Sequence, residues 1–307
     1  MAEAATTQGR VFTVGMSVEA NAGVAVIPTQ FPELISEGFM RNPNRQDVTG
    51  LNGSRSHHSQ ATAEGNIDAR GAFSMNARKQ WLRHILYWTL GGGNENAPTL
   101  AETVKTFTAE VDTGVRVLTY AGCKIGTLEF TSESNNPLIV NVSDIIAMSV
   151  ADAVAGTATS PTRTITDALM MHHALTLTVD GSAMYCNSYA MTINNALEDD
   201  HFQNSVSRVA IPEGDRIITG SVVADWSVLN AVTRGTWTKF VSGATASLSA
   251  AYSDGTNTLT FTMPRVHYHE GDRPPSADSR GTIFDTIPFQ AKSSNAGLQD
   301  ELTVAWS

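Results

Sequence analysis

Eight histidines, two cysteines and one run of acids are the residues in this 307-residue chain whose types could do chemistry. Their spacing limits what that chemistry could be. His267 and His269 flank Tyr268 and precede Glu270. On a strand the two imidazoles would share one face, as paired metal ligands do, but Glu270 would point away and no third ligand is near. A solvated or packed pair is the favoured reading. His57-His58 and His172-His173 are adjacent, so an extended backbone sends each partner to the opposite side. Glu198-Asp199-Asp200 offers oxygens to a hard cation, yet three acids in one loop are by default a solvated turn. Cys123 and Cys186 lie far apart, without a second cysteine at metal-ligand spacing, and are expected to be buried free thiols.

The motifs that mark common enzymes are missing. There is no Gly-x-Ser-x-Gly, no Gly-x4-Gly-Lys-Ser/Thr and no His-Glu-x-x-His. Gly91-Gly92-Gly93 could suggest a phosphate cradle, but it closes a helical pattern instead of opening one. No catalytic, cofactor-binding or metal-ligating set is assigned, and the chain is expected not to be an enzyme.

The elements that would position these residues are mostly strands. Sparse charge, at 16 %, and abundant Thr, Ser, Ala, Asn and Gly suit β-structure with many turns. Residues 11–30 read as an extended N-terminal arm, and residues 41–65, including Gly53-Ser54-Arg55-Ser56, as a long polar loop. A strand is expected from Ile67 to Ser74, then a helix from Ala77 to Trp88 capped by Asn76. Its apolar stripe is Trp81, Leu82, Ile85, Leu86 and Trp88, and Gly91 stops it. Hairpins are expected about Asp112-Thr113-Gly114, Ser134–Pro137 and Ser253–Asn257, with further strands at Leu175–Val179 and Tyr185–Ile193.

Two stretches resemble each other. Gly65-x5-Gly71 returns as Gly214-x5-Gly220 at an offset of 149, and each copy leads into a Trp-bearing segment. Asp112-Thr113-Gly114 returns as Ser253-Asp254-Gly255 at an offset of 141, the shift falling where the Gly91–Pro98 loop has a shorter counterpart. Such a period is too long for a solenoid and implies tandem domains, 1–160 and 161–307, joined by the small, polar stretch Ala155–Thr164.

A formal net charge of −10 argues against a conventional nucleic-acid-binding module, though not against a surface that DNA slides past. The apolar stretches, such as Asp144 to Val154, are too short and interrupted to cross a bilayer. Met1–Arg10 has no basic segment leading into an apolar one, so no secretory signal is read and a soluble, cytoplasmically made protein is expected.

Two runs carry a family resemblance. One is Phe31–Gly38, the polar loop, Gly65–Gly71 and the helix ending in Leu90-Gly91-Gly92; the other is Leu177–Gly181, Ala190–Glu198 and Ile211–Gly220. Together they resemble tail tube proteins of long-tailed, non-contractile bacteriophages, over Phe31 to Trp306. The resemblance implies a mainly β fold of two tandem β-sandwich tube domains, each with a flanking α-helix and each giving strands to an intersubunit β-barrel. It implies a structural virion protein of the tail, assembled in the host cytoplasm as stacked rings that form the conduit for DNA ejection. Rings of the family hold six tube domains. Two per chain would make a ring of three chains with pseudo-sixfold symmetry, whereas a decorative second half would require six chains. Tail terminator, tape measure and tail tip proteins are the implied partners, with no membrane, and genomic DNA passes through the lumen without specific binding. Asp112, Glu129 and Asp254 are lumen candidates by strand position. The competing reading is a tandem β-sandwich adhesin or pilus-like binding module, which a missing export signal disfavours.

Overall fold

A computed structural model describes residues 12–47, 62–114, 116–154, 164–229, 235–268, 283–295 and 298–307. The polar stretch Gly53–His58, most of the expected linker, His269 and Glu270 lie outside the described residues. The chain is mainly β. Its strands in order are β1 (Thr13–Val18), β2 (Leu34–Glu37), β3 (Met40–Asn42), β4 (Gln46–Asp47), β5 (Thr62–Ala63) and β6 (Asp68–Asn76). Helix α1 (Lys79–Leu90) follows, then β7 (Gly91–Asn94), β8 (Ala97–Leu100), β9 (Phe107–Asp112), β10 (Arg116–Glu133), β11 (Ile139–Ile146) and β12 (Ser149–Val154). The second half contains a 3-10 turn (His172–Ala174), β13 (Leu175–Val179), β14 (Ser182–Met184), β15 (Ser188–Asn194) and β16 (Ile217–Asp225). It ends with α2 (Trp226–Leu229), α3 (Thr236–Ser242), β17 (Ala246–Ser253), β18 (Thr258–Tyr268), β19 (Phe284–Ala291) and β20 (Thr303–Trp306).

Sixteen of these strands form one sheet, all of whose pairings among the described residues are antiparallel. The first half is wired β9-β10-β11-β6 and the second β17-β18-β19-β16. The flanking strands match too: β1 lies on β9 as β13 lies on β17, β2 on β6 as β15 on β16, and β12 on β10 as β20 on β18. The residues of the sequence repeat occupy equivalent places. Gly71 faces Ile145, which faces Ile125; Gly220 faces Phe289, which faces Tyr268. The hairpins close alike, with Asp112 opposite Val117 and Ser253 opposite Thr258. In one the Gly114 N–H donates to Asp112 Oδ1 at 2.7 Å, and in the other the Gly255 N–H donates to Ser253 Oγ at 3.1 Å.

Three elements depart from expectation. The second strand of the hairpin about Asp112-Thr113-Gly114 and the first strand of the hairpin about Ser134–Pro137 are one strand, β10, that continues through a bulge between Tyr120 and Cys123. Gly122 supplies the positive φ there, 68°, and its N–H donates to the buried Glu19 carboxylate at 2.8 Å. The same carboxylate accepts from Thr108 Oγ1 and the Gly23 N–H, so the segment read as an extended arm is stitched to the bulge. Alternation of Val14 and Met16 into the core makes part of that arm strand β1. Finally, Asn76 does not cap α1. It ends β6 opposite Ile139, and the Ala77 N–H still donates to Leu138 O at 2.8 Å, so the ladder outlasts the predicted strand end. Arg78 occupies the N-cap without a side-chain bond.

Helix α1 buries the predicted stripe and stops at Gly91, whose φ of 85° lets its N–H reach Tyr87 O. The second half has no helix of that length among the described residues; α2 has 4 residues and α3 has 7, bounded by left-handed Gly235 and Gly243.

The halves share one core. Strand β15 pairs along β10 from Thr127↔Asn194 to Glu133↔Ser188, and Phe130 packs on Phe261 with centroids 4.9 Å apart. A Cβ at Gly220 would come within 2.4 Å of Ala190 O and of the Phe289 ring, whereas the atoms nearest one at Gly71 belong to the Phe39 ring, at 2.5 Å. A ring can swing and a paired backbone oxygen cannot. Gly220→Ala is therefore expected to cost about 3 kcal/mol and Gly71→Ala less, measured as urea midpoints at unchanged m-value. Equal losses would show that the Phe39 ring yields no more readily than the Ala190 carbonyl.

Candidate functional site

The groups with chemical potential are placed in structural roles. His172 is not in an extended segment but in the 3-10 turn, buried, with Nδ1 2.7 Å from Ser132 Oγ and Nε2 3.0 Å from Cys186 O. Its neighbour His173 is exposed. The Ser132–His172 distance suits a nucleophile and base, but Ser132 is 1 % exposed and the far nitrogen meets a carbonyl, not a carboxylate. The contact instead ties β10 to the segment preceding β15. Cys123 and Cys186 are free; burial pushes the Cys186 thiol up to about 11 and the Cys123 thiol higher still. His84, on α1, is buried beside Glu95 at 3.1 Å, and desolvation holds its pKa below 6.5 despite the carboxylate. His267 sits on the face of β18 opposite to buried Tyr268.

The Glu198–Asp200 loop does draw a histidine in. His201 Nε2 lies 3.0 Å from Glu198 Oε2 and 3.7 Å from Asp200 Oδ1, with both acids exposed and the imidazole half-buried. Asp199 belongs to a different cluster, paired with Arg70. Arg70 also holds Asp68 and, at 3.5 Å, Asp144. Asp68 is shared with Arg208, whose side chain is 2 % exposed. The Arg208 guanidinium further donates to Asp199 O, Ala69 O and Ala147 O and stacks on Phe202. Loop residues of the second half are thereby clamped onto β6 and β11 of the first. Asp68-x-Arg70 is readable as a same-face pair on a strand; nothing around Arg208 in its Ser-rich loop signals burial.

A second feature covers a wide area. Along the face of the sheet turned away from the core, paired residues form a continuous row: Ser74, Asn141, Glu129, Thr192, Thr219 and Gln290. Ser36 extends it at β2, bonded to Ser74 Oγ at 2.7 Å, and His267 at β18. Side chains in the row are half-buried or exposed while the alternate positions are buried, so the face is open. Of the three lumen candidates, Glu129 lies in this row, accepting from Asn141 Nδ2 at 3.3 Å. Asp112 and Asp254 lie instead in the β9–β10 and β17–β18 hairpins. There Asp112 accepts from the Gly114 N–H and Asp254 from the Thr256 and Asn257 N–H groups, so both act as turn formers.

Polar clusters thus lock the sheet together, its outward face is open and rich in hydroxyls, and β2 is its terminal strand. The sequence profile of the phage tail tube protein family matches residues 9–291, and the chain belongs to that family. It is a structural component of a bacteriophage tail. No individually curated protein matched it in sequence. Among the described residues no helix is long and apolar enough to cross a membrane.

The Arg208 clamp is testable by pH. Burial alone would push the Asp68 carboxyl up, but hydrogen bonds from Arg208 and Arg70 and their charges outweigh it and hold it below 3.8. A lowered carboxyl contributes stability that is full above 3.8 and is lost as pH falls through the folded value. Arg208→Met should cost about 3 kcal/mol at neutral pH, the low end for a broken buried pair because Asp68 keeps some solvent. The difference in thermal midpoint between wild type and Arg208→Met should shrink as pH is lowered from about 6 to about 3. A constant difference would mean the guanidinium acts through packing and carbonyls alone.

Proposed function

We propose that this chain polymerises as stacked rings into the tail tube and forms the conduit through which DNA is ejected. A ring contains three chains, each carrying two tube units divided near residues 160 and 161, so six units surround the lumen with pseudo-sixfold symmetry. The observation that carries this reading is the junction within one chain: β15 of the second half is hydrogen-bonded along β10 of the first. In the repeated wiring, β2 holds the place of β15, yet β2 is the last strand of its sheet and its outer edge has no strand partner among the described residues.

An open strand edge is a site for pairing with another chain. If the junction seen inside a chain is repeated between chains, the contact is head-to-tail, and a rotation that closes makes a ring. Exposed Ile35 and Met40, on β2 and β3, suit an edge that becomes covered. Val24 and Ile27, 57 % and 75 % exposed in the loop after β1, suit contact between stacked rings. Tail terminator, tape measure and tail tip proteins would meet the ends and bore of such a tube, assembly would take place in the host cytoplasm, and genomic DNA would pass without being held.

Negative-stain electron microscopy of the purified chain decides between this reading and an adhesin-like binding module. Tubes or stacked rings are expected, and Ile35→Lys together with Met40→Glu should leave a folded protein that no longer forms them. A wild-type chain that stays monomeric at high concentration, with no rings formed on its own or with tail partners, would contradict the proposal.

A further inference from the structure

We infer that neighbouring chains are joined by an ionic seam in which Glu64 of one chain meets the basic side chains Arg265, His267 and Lys292 of the next. The inference rests on the ring reading above and deepens it, because it names the side chains that join the copies. It follows from the internal repeat. Asn42 ends β3 as Asn194 ends β15, and each side chain accepts the N–H two residues on, from Asn44 at 3.1 Å and from Ala196 at 2.7 Å. Both of those residues have a positive φ, 42° and 46°. Their carbonyls press on Gly65 and Gly214, where a Cβ would lie 2.1 Å and 2.7 Å away. Glu64 and Glu213, each just before its glycine, therefore hold the same place. So do Lys124 and His267, each just before the equivalent Ile125 and Tyr268.

Within one chain the junction uses this acid. Glu213 Oε1, from the second half, accepts from Lys124 Nζ at 2.7 Å and from the Val104 N–H at 3.0 Å, both of the first half. Ile146, opposite Lys124, is 1 % exposed, and Arg70, opposite Ile146, is held by Asp199 of the second half. The second half has the matching surface without its cover. Gln290, opposite His267, is half-buried, and Thr219, opposite Gln290, is exposed. Arg265 and Lys292 beside them are exposed, and their side chains make no hydrogen bond or ion pair among the described residues. Glu64, between β5 and β6 in the half that carries the open β2 edge, is likewise exposed and without such a partner.

The charges are complementary, and the occupant is a second copy of this chain. The acid lies on the first half and the basic group on the second, so the contact is head-to-tail. An exposed ion pair would contribute little. In the junction already formed, however, the Lys124 and Glu213 side chains are only 15 % and 14 % exposed. A pair in the same setting between chains is largely removed from water, and a like charge placed there is strongly unfavourable.

The test uses the full chain under conditions where the wild type forms rings. Glu64→Lys should keep the thermal midpoint of the free chain and raise the concentration needed for ring formation at least about tenfold. Adding Arg265→Glu and Lys292→Glu to it should restore assembly. A second measurement does not depend on charge. In a chain carrying Glu64→Cys and His267→Cys, a short bismaleimide added to finished rings should link chain to chain, and neither single variant should give that ladder. Unchanged assembly in Glu64→Lys, a loss that the charge exchange does not restore, or rings whose two new cysteines do not link would each overturn the seam. Failure of the wild-type chain to form rings contradicts the earlier reading instead, so the two failures are distinguishable.

Discussion

Backbone pairing along both edges of β10 is the interaction on which the rest of the structure depends. Its first stretch, to Ala121, pairs with β9 and β12; beyond the bulge Cys123 still pairs with β9, and from Lys124 on the strand pairs with β11 and then also β15. One 18-residue strand therefore belongs to the first half on one side and receives the second half on the other. The bend between these two stretches needs a residue that tolerates a positive φ and a fixed partner for its N–H. Gly122 supplies the first and the buried Glu19 carboxylate the second. With that bend in place, Phe130 meets Phe261, and a single core spans both halves. The polar contacts at the margins follow the same line. Ser132–His172 closes the junction on the core side, and Arg208 closes it over β6.

This arrangement explains why the polar residues most suggestive of catalysis are occupied. Ser132, His172, Arg208 and Asp68 are buried or partly buried where strands or loops of the two halves meet, and each is satisfied by a neighbour from the other half. Charge is concentrated at such seams and on the loops. The broad sheet face carries mostly hydroxyl and amide side chains, with Glu129 among them. In the tube proposed for this chain these are separate requirements: seams must hold their register, and a surface that DNA passes must not hold it.

Much of the fold was legible because local rules sufficed. Period-two alternation announced β6, β9, β11, β13 and β17, and glycines at the hairpins marked the turns that Gly114 and Gly255 make at positive φ. The stripe from Trp81 to Trp88 with Gly91 after it announced α1. The Gly-x5-Gly repeat was legible too, and its second glycines pair with corresponding strands of the two halves, Gly71 with β11 and Gly220 with β19. What was not legible depended on distant partners. Ala121-Gly122 reads as an interruption unless Glu19, 103 residues away, is known to hold the bulge. Asn76 reads as a helix cap unless Leu138 is known to extend the ladder past it. The β10–β15 pairing and the burial of Arg208 have no local signature at all. Strand position likewise could not separate Glu129, on the open face, from Asp112 and Asp254, which shape turns.

The central claim is that one chain supplies two equivalent wall units. Cryo-electron microscopy of assembled tubes tests it most directly, through the symmetry and chain count of a single ring. The account predicts threefold rings of three chains whose six wall units alternate between residues of β6, β11 and β10 and residues of β16, β19 and β18. Rings of six chains, with only the first-half strands around the bore, would contradict it.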